Sequence, residues 1–308
     1  MHIGAHIFNM IGLSTSLLCS LPGDEIVARA ADMGFSQIEL NFTLRPEQVR
    51  DIEGASIRHG IHITSLHNFV PEPSEGERAF MLSDIDESLR TKAIDLTRDT
   101  IRRAADLGAR AVILHMGQPR DADFDPIQDR FRKAIHSEIV TEDMESLRND
   151  LKKARKKLPG AYLDSMLLSL DKLAPFADDR NIRLGVENRY FYGQFPNFEE
   201  LGIIMQEFSG SGLGYWHDCG HAAHLAYCGL GTETENLDAI KGRLIGVHLH
   251  DIKLWYDHQA PSPEGNIDFA YLTPYIDQDT LLVMELSGNC DPNLVGPAIE
   301  YLAAAGVR

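Results

Sequence analysis

The sequence predicts a (β/α)8 TIM barrel, an α/β fold that spans residues 1–308 as a single domain. Short apolar runs of strand length alternate with amphipathic helical patterns from one end of the chain to the other. Such alternation indicates right-handed βαβ units and a parallel sheet. An open doubly wound sheet is the competing fold. It is disfavoured because no G-x-G-x-x-G sequence follows the first strand candidate and no phosphate-binding P-loop is present.

Eight segments have the length and apolar character of barrel strands. They are residues 2–8, 37–42, 61–69, 110–117, 182–188, 213–220, 244–251 and 281–286. Helical patterns follow them, for example at 22–35 and 88–107. Residues 118–181 contain no strand candidate and only charged helical patterns. We therefore predict a helical insertion after strand four on the catalytic rim, acting as a lid or a subunit contact, and a homo-oligomer is compatible with it.

Composition and charge restrict the partners. The net charge is −17, which opposes binding of nucleic acid, and the basic run "KKARKK" at 152–157 is predicted to be a solvated helix face. The four cysteines are scattered without a C-x-x-C pair, which is typical of a reduced, cytoplasmic protein. No apolar run is long enough to span a membrane. The apolar residues 1–22 lack a basic beginning and are predicted to be a strand with its loop rather than a signal peptide.

Candidate site residues lie where the predicted strands end. A TIM barrel builds its active site at the carboxyl ends of its strands, so the polar residue that closes each apolar run is the one to examine. Six of the eight runs end in a side chain that can bind a metal, and the last four of these are each about one βαβ unit apart. The six residues are His67, His115, Glu187, Asp218, His248 and Glu285.

Four of these residues form a predicted metal site with three carboxylates and one imidazole: Glu187, Asp218, His248 and Glu285. An oxygen-rich set of this kind suits one divalent cation, Mn²⁺, Mg²⁺, Co²⁺ or Zn²⁺. The alternative, a buried group of carboxylates without a metal, is costly because the unpaired charges would have to be neutralised.

Several neighbouring residues are candidates for substrate binding. His221 lies three residues after Asp218 at a predicted helix start, where it can reach a metal, a substrate hydroxyl or only the backbone. His250 shares the inward face of its strand with His248 and can orient a ligand or bind substrate. Lys253 is either a substrate contact or part of a solvated loop. His217, His224 and Cys219 are predicted to be structural, as are the remaining residues of the "YWHDCGHAAH" stretch.

The chain resembles the xylose isomerase-like TIM-barrel superfamily, which comprises sugar (phosphate) isomerases and epimerases together with endonuclease IV. The resemblance covers nearly the whole chain and rests on "GFSQIELNF", "AADLGARAVILHMG", "LGVEN", "HDCGHA", "GVHLHD", "PEGNIDF" and "VMEL" in that order. It implies that Glu187 and Glu285 act as acid and base as well as metal ligands. It also implies that His221 binds a substrate hydroxyl.

The endonuclease IV branch implies further metals. By that resemblance His67, His115 and Asp257 are candidates for a second metal beside Glu187, while His67 and His115 are alternatively substrate ligands. The chain departs from this branch at Gln259, which stands where the family has a histidine, so that a third zinc would lack a ligand unless His258 replaces it.

We therefore predict a divalent-metal-dependent isomerase or epimerase of a small sugar or sugar-like polyol. It would work through an enediolate formed when a carboxylate removes a proton beside a carbonyl. The alternatives are a dehydratase or lyase on a keto-polyol, a phosphodiesterase on abasic DNA, and a non-catalytic subunit that keeps the barrel.

Overall fold

The computed structural model describes residues 10–137, 143–240, 242–253 and 256–308. Eight parallel strands close into a barrel in which each strand lies beside its neighbours in chain order and the first strand lies beside the last. This confirms the predicted (β/α)8 TIM barrel. The barrel strands are β1 (Ile11–Ser14), β2 (Gln37–Leu40), β3 (His62–His67), β4 (Ala111–Leu114), β5 (Arg183–Glu187), β6 (Leu213–Asp218), β7 (Leu244–Leu249) and β10 (Leu281–Met284).

The first barrel strand is not the segment that we predicted. The predicted strand 2–8 lies outside the described residues, and the barrel is closed by Ile11–Ser14 instead. Ile11 pairs with Leu282 of β10 and Leu13 pairs with Ile38 of β2, so this short strand joins the two ends of the sheet.

Helices cover the outside of the barrel and follow the strands as expected for βαβ units. The helix predicted at 88–107 runs from Glu87 to Asp106; the Asp86 carboxylate accepts hydrogen bonds from two backbone amides at its start, and Gly108 adopts a left-handed φ of 68° after its end. The helices are α1 (Gly23–Asp32), α2 (Pro46–His59), α3 (Glu87–Asp106), α4 (Asp125–Ile135), α5 (Met144–Lys157), α6 (Ala161–Asp178), α7 (Phe198–Glu207), α8 (Cys219–Tyr227), α9 (Glu235–Ala239) and α10 (Val295–Ala304).

The residues between β4 and β5 that the structure describes form helices α4, α5 and α6 and no strand, as predicted for the insertion. Helix α6 packs on α3, where Arg90 donates a 3.4 Å hydrogen bond to Ser165, and so belongs to the barrel's own helical layer. Helices α4 and α5 instead pack around a separate apolar cluster that includes Phe131 and Leu151. The added part is therefore this helix pair.

The basic run at 152–157 lies at the end of α5 and is only partly a solvated face. Arg155, in its middle, is buried and donates hydrogen bonds of 2.9 and 2.8 Å to both carboxylate oxygens of Glu200. A paired arginine of this kind attaches the insertion to helix α7. The expectation of a fully solvated run is wrong at this residue.

The barrel interior beneath the rim is filled by Trp216, which is fully buried. Two glycines make room for its indole. A Cβ on Gly185 would lie 3.0 Å from the ring, and a Cβ on Gly246 would lie 2.6 Å from its Cη2 atom. The indole also meets the His248 ring edge to face, with centroids 5.1 Å apart. The indole beneath the site thus fits because β5 and β7, the two strands that flank its own strand β6, each carry a glycine beside it.

A short antiparallel hairpin stands on the rim beyond β7. It consists of β8 (Asp251–Lys253) and β9 (Tyr256–Gln259), and β9 contains Asp257 and His258. Among the helices of the described ranges, none combines the length and the apolar character that a membrane crossing needs.

Candidate active site

The six strand-ending residues identified from the sequence all lie at the carboxyl ends of their strands. His67, Glu187 and Asp218 are the last residues of β3, β5 and β6. His248 is the penultimate residue of β7, and His115 and Glu285 directly follow β4 and β10. Because all eight strands run parallel, these side chains meet at one end of the barrel.

Four of them form a compact, fully buried cluster, which we name the central cluster: Glu187, Asp218, His248 and Glu285. Each residue offers one ligand atom, and these atoms all lie within 4.8 Å of one another. His248 Nδ1 is the common neighbour. It lies 2.7 Å from Glu187 Oε1, 3.1 Å from Glu285 Oε2 and 3.7 Å from Asp218 Oδ2. One imidazole nitrogen therefore faces three carboxylates.

Two residues that the sequence analysis missed hold the central cluster in place. Glu39 in β2 is fully buried, and its Oε1 lies 3.1 Å from His248 Nε2, while its Oε2 accepts a 2.8 Å hydrogen bond from Ser65. Asn41 donates a 2.9 Å hydrogen bond to Glu285 Oε1. Carboxylates and amides behind the ligands of a metal site commonly fix the ligand orientation. The available signal was an acidic residue on the alternating face of the "QIELNF" strand.

A second group, the histidine pair, adjoins the central cluster through Glu187. His115 Nε2 lies 2.5 Å and His67 Nε2 3.6 Å from Glu187 Oε2, and the three ligand atoms again lie within 4.8 Å of one another. The His115 side chain is 29% exposed, so this side of the site opens to solvent. The exposed ring of Phe42 lies at the opening, with its centroid 5.0 Å from that of His67.

A third group, the hairpin cluster, consists of His221, Asp257 and His258. His221 Nε2 lies 3.4 Å and His258 Nε2 3.6 Å from Asp257 Oδ2. This corrects the grouping of Asp257 with His67 and His115, because hairpin β8–β9 places Asp257 beside helix α8 rather than beside β3 and β4. His258 adopts a left-handed φ of 53°, and its ring faces Asp257.

His250 joins the central cluster to the hairpin cluster. Its Nε2 lies 2.9 Å from both oxygens of Asp218, and its Nδ1 lies 3.2 Å from Asp257 Oδ1. A Cβ on Gly220 would lie 2.5 Å from His250 Nδ1, so the first turn of helix α8 fits against this ring only with glycine at that position. Both ring nitrogens of His250 thus face carboxylates.

His221 is held by its backbone and by its ring. Its amide donates a 2.7 Å hydrogen bond to Asp218 Oδ1, the cap of helix α8, and its Nδ1 lies 2.9 Å from the Asn188 carbonyl oxygen. A carbonyl can only accept, so Nδ1 carries the proton and Nε2 is directed at Asp257. If His221 contacts a metal or a substrate hydroxyl, as predicted, it would therefore do so through Nε2.

The electrostatics of the site favour ionised carboxylates. Burial opposes ionisation of Glu187, but the His115 charge and the hydrogen bonds from His115 and His248 hold its pKa well below the ordinary range. Burial likewise opposes protonation of His221 and His250, yet the Asp218 and Asp257 carboxylates raise the pKa of His221 to about 9 and that of His250 to about 10. The carboxylates of the central and hairpin clusters therefore concentrate negative charge and favour a positive charge beside them.

The remaining candidates lie further from the centre. Lys253 ends β8 and is exposed, and within the described ranges no hydrogen bond or ion pair joins it to the three clusters. His217 points out of the barrel, as its neighbour Asp218 requires, with ring nitrogens 2.8 Å from the Tyr215 and 2.7 Å from the Tyr271 hydroxyl. His224 stacks on Tyr190 with ring centroids 3.8 Å apart. The two histidines thus have packing roles.

A closed parallel barrel with acidic and histidine side chains that converge at its carboxyl rim has the layout of a TIM-barrel active site. Residues 27–304 match the family of xylose isomerase-like TIM barrels. The chain belongs to this family. The residues of all three clusters lie inside the matched range.

One curated relative matches part of the chain. The chain is 26% identical over 196 residues to an uncharacterized protein of Methanocaldococcus jannaschii, a match that covers 61% of this chain. It spans about half, 53%, of the length of that relative.

Solved structures share the fold at low sequence identity. A D-tagatose 3-epimerase-like protein is similar with a TM-score of 0.68 at 21% identity, covering 96% of each chain. D-allulose 3-epimerase from Methylomonas sp., in complex with D-allulose, is similar with a TM-score of 0.67 at 16% identity, covering 96% of this chain and 97% of that one. For 3-keto-D-glucoside 4-epimerase from E. coli the TM-score is 0.66 at 13% identity, with 97% and 100% covered.

Proposed function

We propose that the protein is a divalent-metal-dependent isomerase or epimerase acting on a small sugar or sugar-like polyol. The observation that carries the proposal is the central cluster. Glu187 and Glu285 approach the same nitrogen of His248, at 2.7 and 3.1 Å, and Asp218 completes the set. Two carboxylates that face one small space can exchange a proton with opposite sides of a molecule held between them.

The donor set fits one divalent cation. Three buried carboxylates and one imidazole supply hard oxygen ligands and one nitrogen, a combination suited to Mn²⁺, Mg²⁺, Co²⁺ or Zn²⁺. Burial opposes protonation of His248, but Glu285, Glu39 and their neighbours raise its pKa well above the ordinary value. The carboxylates therefore favour a positive charge at this place. A bound cation would supply that charge and would polarise a substrate carbonyl as a Lewis acid.

Glu187 and Glu285 are proposed to move the proton. One carboxylate removes the proton from the carbon beside the substrate carbonyl, which leaves an enediolate, and the other returns a proton to the opposite face or to the neighbouring carbon. Asn41 holds Glu285 through its Oε1 at 2.9 Å, which leaves Oε2 directed into the cluster. Positioned acid–base groups of this kind contribute about 10² to 10⁴ in rate.

The surroundings of the central cluster suit a polyol. His67, His115 and His221 bring imidazole nitrogens to its edge, and each can donate to or accept from a hydroxyl. The exposed Phe42 ring beside His67 offers an apolar face for the C–H surface of a sugar. Lys253 is proposed as an outer contact, and the buried His250 is proposed to orient Asp218 and Asp257 toward the ligand. Three similar solved structures are named for sugar epimerases or an epimerase-like protein, which supports this choice of substrate class.

Solvent exchange tests the proposal directly. A panel of ketoses and related polyols is incubated with the metal-loaded protein in heavy water, and deuterium is sought at the carbon beside the carbonyl. We expect exchange and product with the native protein, and a loss of about 10² or more in rate for Glu187→Gln and Glu285→Gln. Glu47→Gln, at an exposed position in α2, is the control. Full activity of Glu187→Gln would contradict the proposed role, and loss of water from the substrate would indicate a dehydratase.

One observation favours a second candidate, a phosphodiesterase on abasic DNA. The described residues offer three groups of metal-competent side chains, two of which share Glu187, and His258 belongs to the third. The net charge of −17 opposes this function, because binding to phosphates requires cations. Cleavage of an abasic duplex at low salt by zinc-loaded protein would establish it, and no cleavage together with sugar turnover would exclude it.

A further inference from the structure

Glu187 belongs to two groups at once, and its two oxygens are divided between them. Oε1 faces the central cluster, 2.7 Å from His248 Nδ1. Oε2 faces the histidine pair, 2.5 Å from His115 Nε2 and 3.6 Å from His67 Nε2. A metal held by the histidine pair would therefore have to use Oε2.

The same oxygen already has a cationic partner. Arg189 Nη1 donates a 3.0 Å hydrogen bond to Glu187 Oε2. The Arg189 side chain is only 11% exposed, and its Nε is buried without a hydrogen-bond partner among the described residues. The guanidinium is planar and permanently charged, so it cannot yield to a metal by losing a proton.

A divalent cation on the histidine pair would face this guanidinium across a shared carboxylate oxygen. Two positive charges at so short a distance repel each other strongly at the effective dielectric of a protein. Burial also limits the screening of this repulsion by salt. The central cluster does not share an oxygen with Arg189, because the carboxylate oxygen that Glu187 turns toward it, Oε1, is the one that Arg189 does not contact.

We propose that Arg189 keeps the histidine pair free of metal and so restricts the protein to metal binding at the other clusters, leaving His67 and His115 to bind substrate hydroxyls. Arg189 acts here as a positioning and selectivity residue through Glu187, and the inference rests on the proposed metal-dependent function. The barrel offers ligands for two adjoining metals, and Arg189 allows a metal at the central cluster while it excludes one at the histidine pair.

The test measures metal that depends on His115. Native protein, Arg189→Gln, His115→Gln and the double variant are stripped with a chelator, reloaded at matched free Zn²⁺ or Mn²⁺, and assayed for metal per chain by elemental analysis. We expect His115→Gln to leave the native metal content unchanged. Arg189→Gln should bind about one more metal per chain, at least about tenfold more tightly than the native protein does at that place, and the double variant should lose it. Near-ultraviolet circular dichroism checks folding.

Two further variants separate charge from structure. Arg189→Lys keeps the positive charge and should keep the native metal content, and Arg58→Gln alters an exposed arginine in the last turn of α2 as a control. A fall in native metal content on His115→Gln would overturn the inference, even if Arg189→Gln fails to fold. An unchanged content in folded Arg189→Gln, or a gain in Arg189→Lys, would overturn it as well. Native protein that binds no metal at all would instead overturn the proposed function.

Discussion

His248 lies between two glutamates that face opposite nitrogens of its ring. Nδ1 is 2.7 Å from Glu187 Oε1, and Nε2 is 3.1 Å from Glu39 Oε1. The ring can direct a lone pair toward the central cluster only if its other nitrogen carries a proton, and Glu39 is the acceptor that holds that proton in place. A residue on strand β2 thereby determines how a residue on strand β7 presents itself to a ligand.

Removal of the Glu39 charge should weaken metal binding while the barrel stays folded. Glu39→Gln is nearly isosteric but binds the Nε2 proton less strongly, so we expect divalent-metal affinity to fall by about tenfold to a hundredfold. Isothermal titration with Mn²⁺ or Zn²⁺ measures this, and Glu47→Gln at an exposed position serves as the control. An affinity equal to that of the native protein would show that His248 is oriented by other contacts.

Much of the site could be predicted because barrel geometry converts position along a strand into position in space. Once 182–188 and 281–286 were identified as strands, Glu187 and Glu285 had to meet at the same rim. Glu39 was missed for a related reason. It lies in the middle of the predicted strand 37–42, and only its contact with His248, at 3.1 Å, reveals its part in the site.

Other features depend on contacts that no local pattern encodes. Strand β1 at Ile11–Ser14 is recognisable only through its pairing with β2 and β10. Asp257 was assigned to the wrong neighbours because its position depends on how hairpin β8–β9 folds back over helix α8. The contact of Arg189 with Glu187 Oε2 likewise depends on how the chain turns after β5, at residues that lie outside regular elements.

Gly220 should be essential for the position of His250, which contacts both the central cluster and the hairpin cluster. A Cβ there would lie 2.5 Å from His250 Nδ1 and 2.8 Å from Asp257 Oδ1, and His250 is fully buried and cannot move aside freely. We expect Gly220→Ala to lower the free energy of unfolding by about 1–3 kcal/mol and to weaken metal binding through Asp218.

Gly202→Ala is the matched control for this substitution, since Gly202 is also helical but has open space around it. It should leave metal binding unchanged and stabilise the protein by up to about 1 kcal/mol, because alanine favours helix. Denaturant unfolding and metal titration of both variants make the comparison. Equal effects of the two substitutions would show that the close approach at His250 has no consequence.

The indole of Trp216 and Gly246 should be energetically coupled. A Cβ at Gly246 would lie 2.6 Å from Trp216 Cη2 and 2.8 Å from its Cε3, so Gly246→Ala is expected to destabilise the protein by about 1–3 kcal/mol. Trp216→Phe creates space and should cost roughly 1–3 kcal/mol alone. In the double variant the two costs should overlap, with a coupling of about 0.5–3 kcal/mol in denaturant unfolding. Strict additivity would exclude a steric conflict between these positions.

His224 should make the protein sensitive to mild acid. Burial lowers the pKa of its imidazole from 6.5 to about 4, so the unfolded chain takes up the proton at a higher pH than the folded chain does. The ring stacks on Tyr190 with centroids 3.8 Å apart, and its Nδ1 has no hydrogen-bond partner among the residues that the structure describes. A proton at this place would therefore be poorly compensated.

The sign of the effect follows from this order of pKa values. The contribution of His224 to stability is complete above pH 6.5 and is lost as the pH falls from 6.5 toward 4, by at most about 3 kcal/mol. His224→Phe keeps a ring on Tyr190 but cannot bind a proton, so its free energy of unfolding should decline less steeply over that interval. Denaturant unfolding at pH 7, 6, 5 and 4.5 measures the difference, with His59→Phe, at an exposed position in α2, as the control. Parallel pH profiles for the native protein and His224→Phe would contradict the prediction, because they would mean that this ring gains no proton on unfolding.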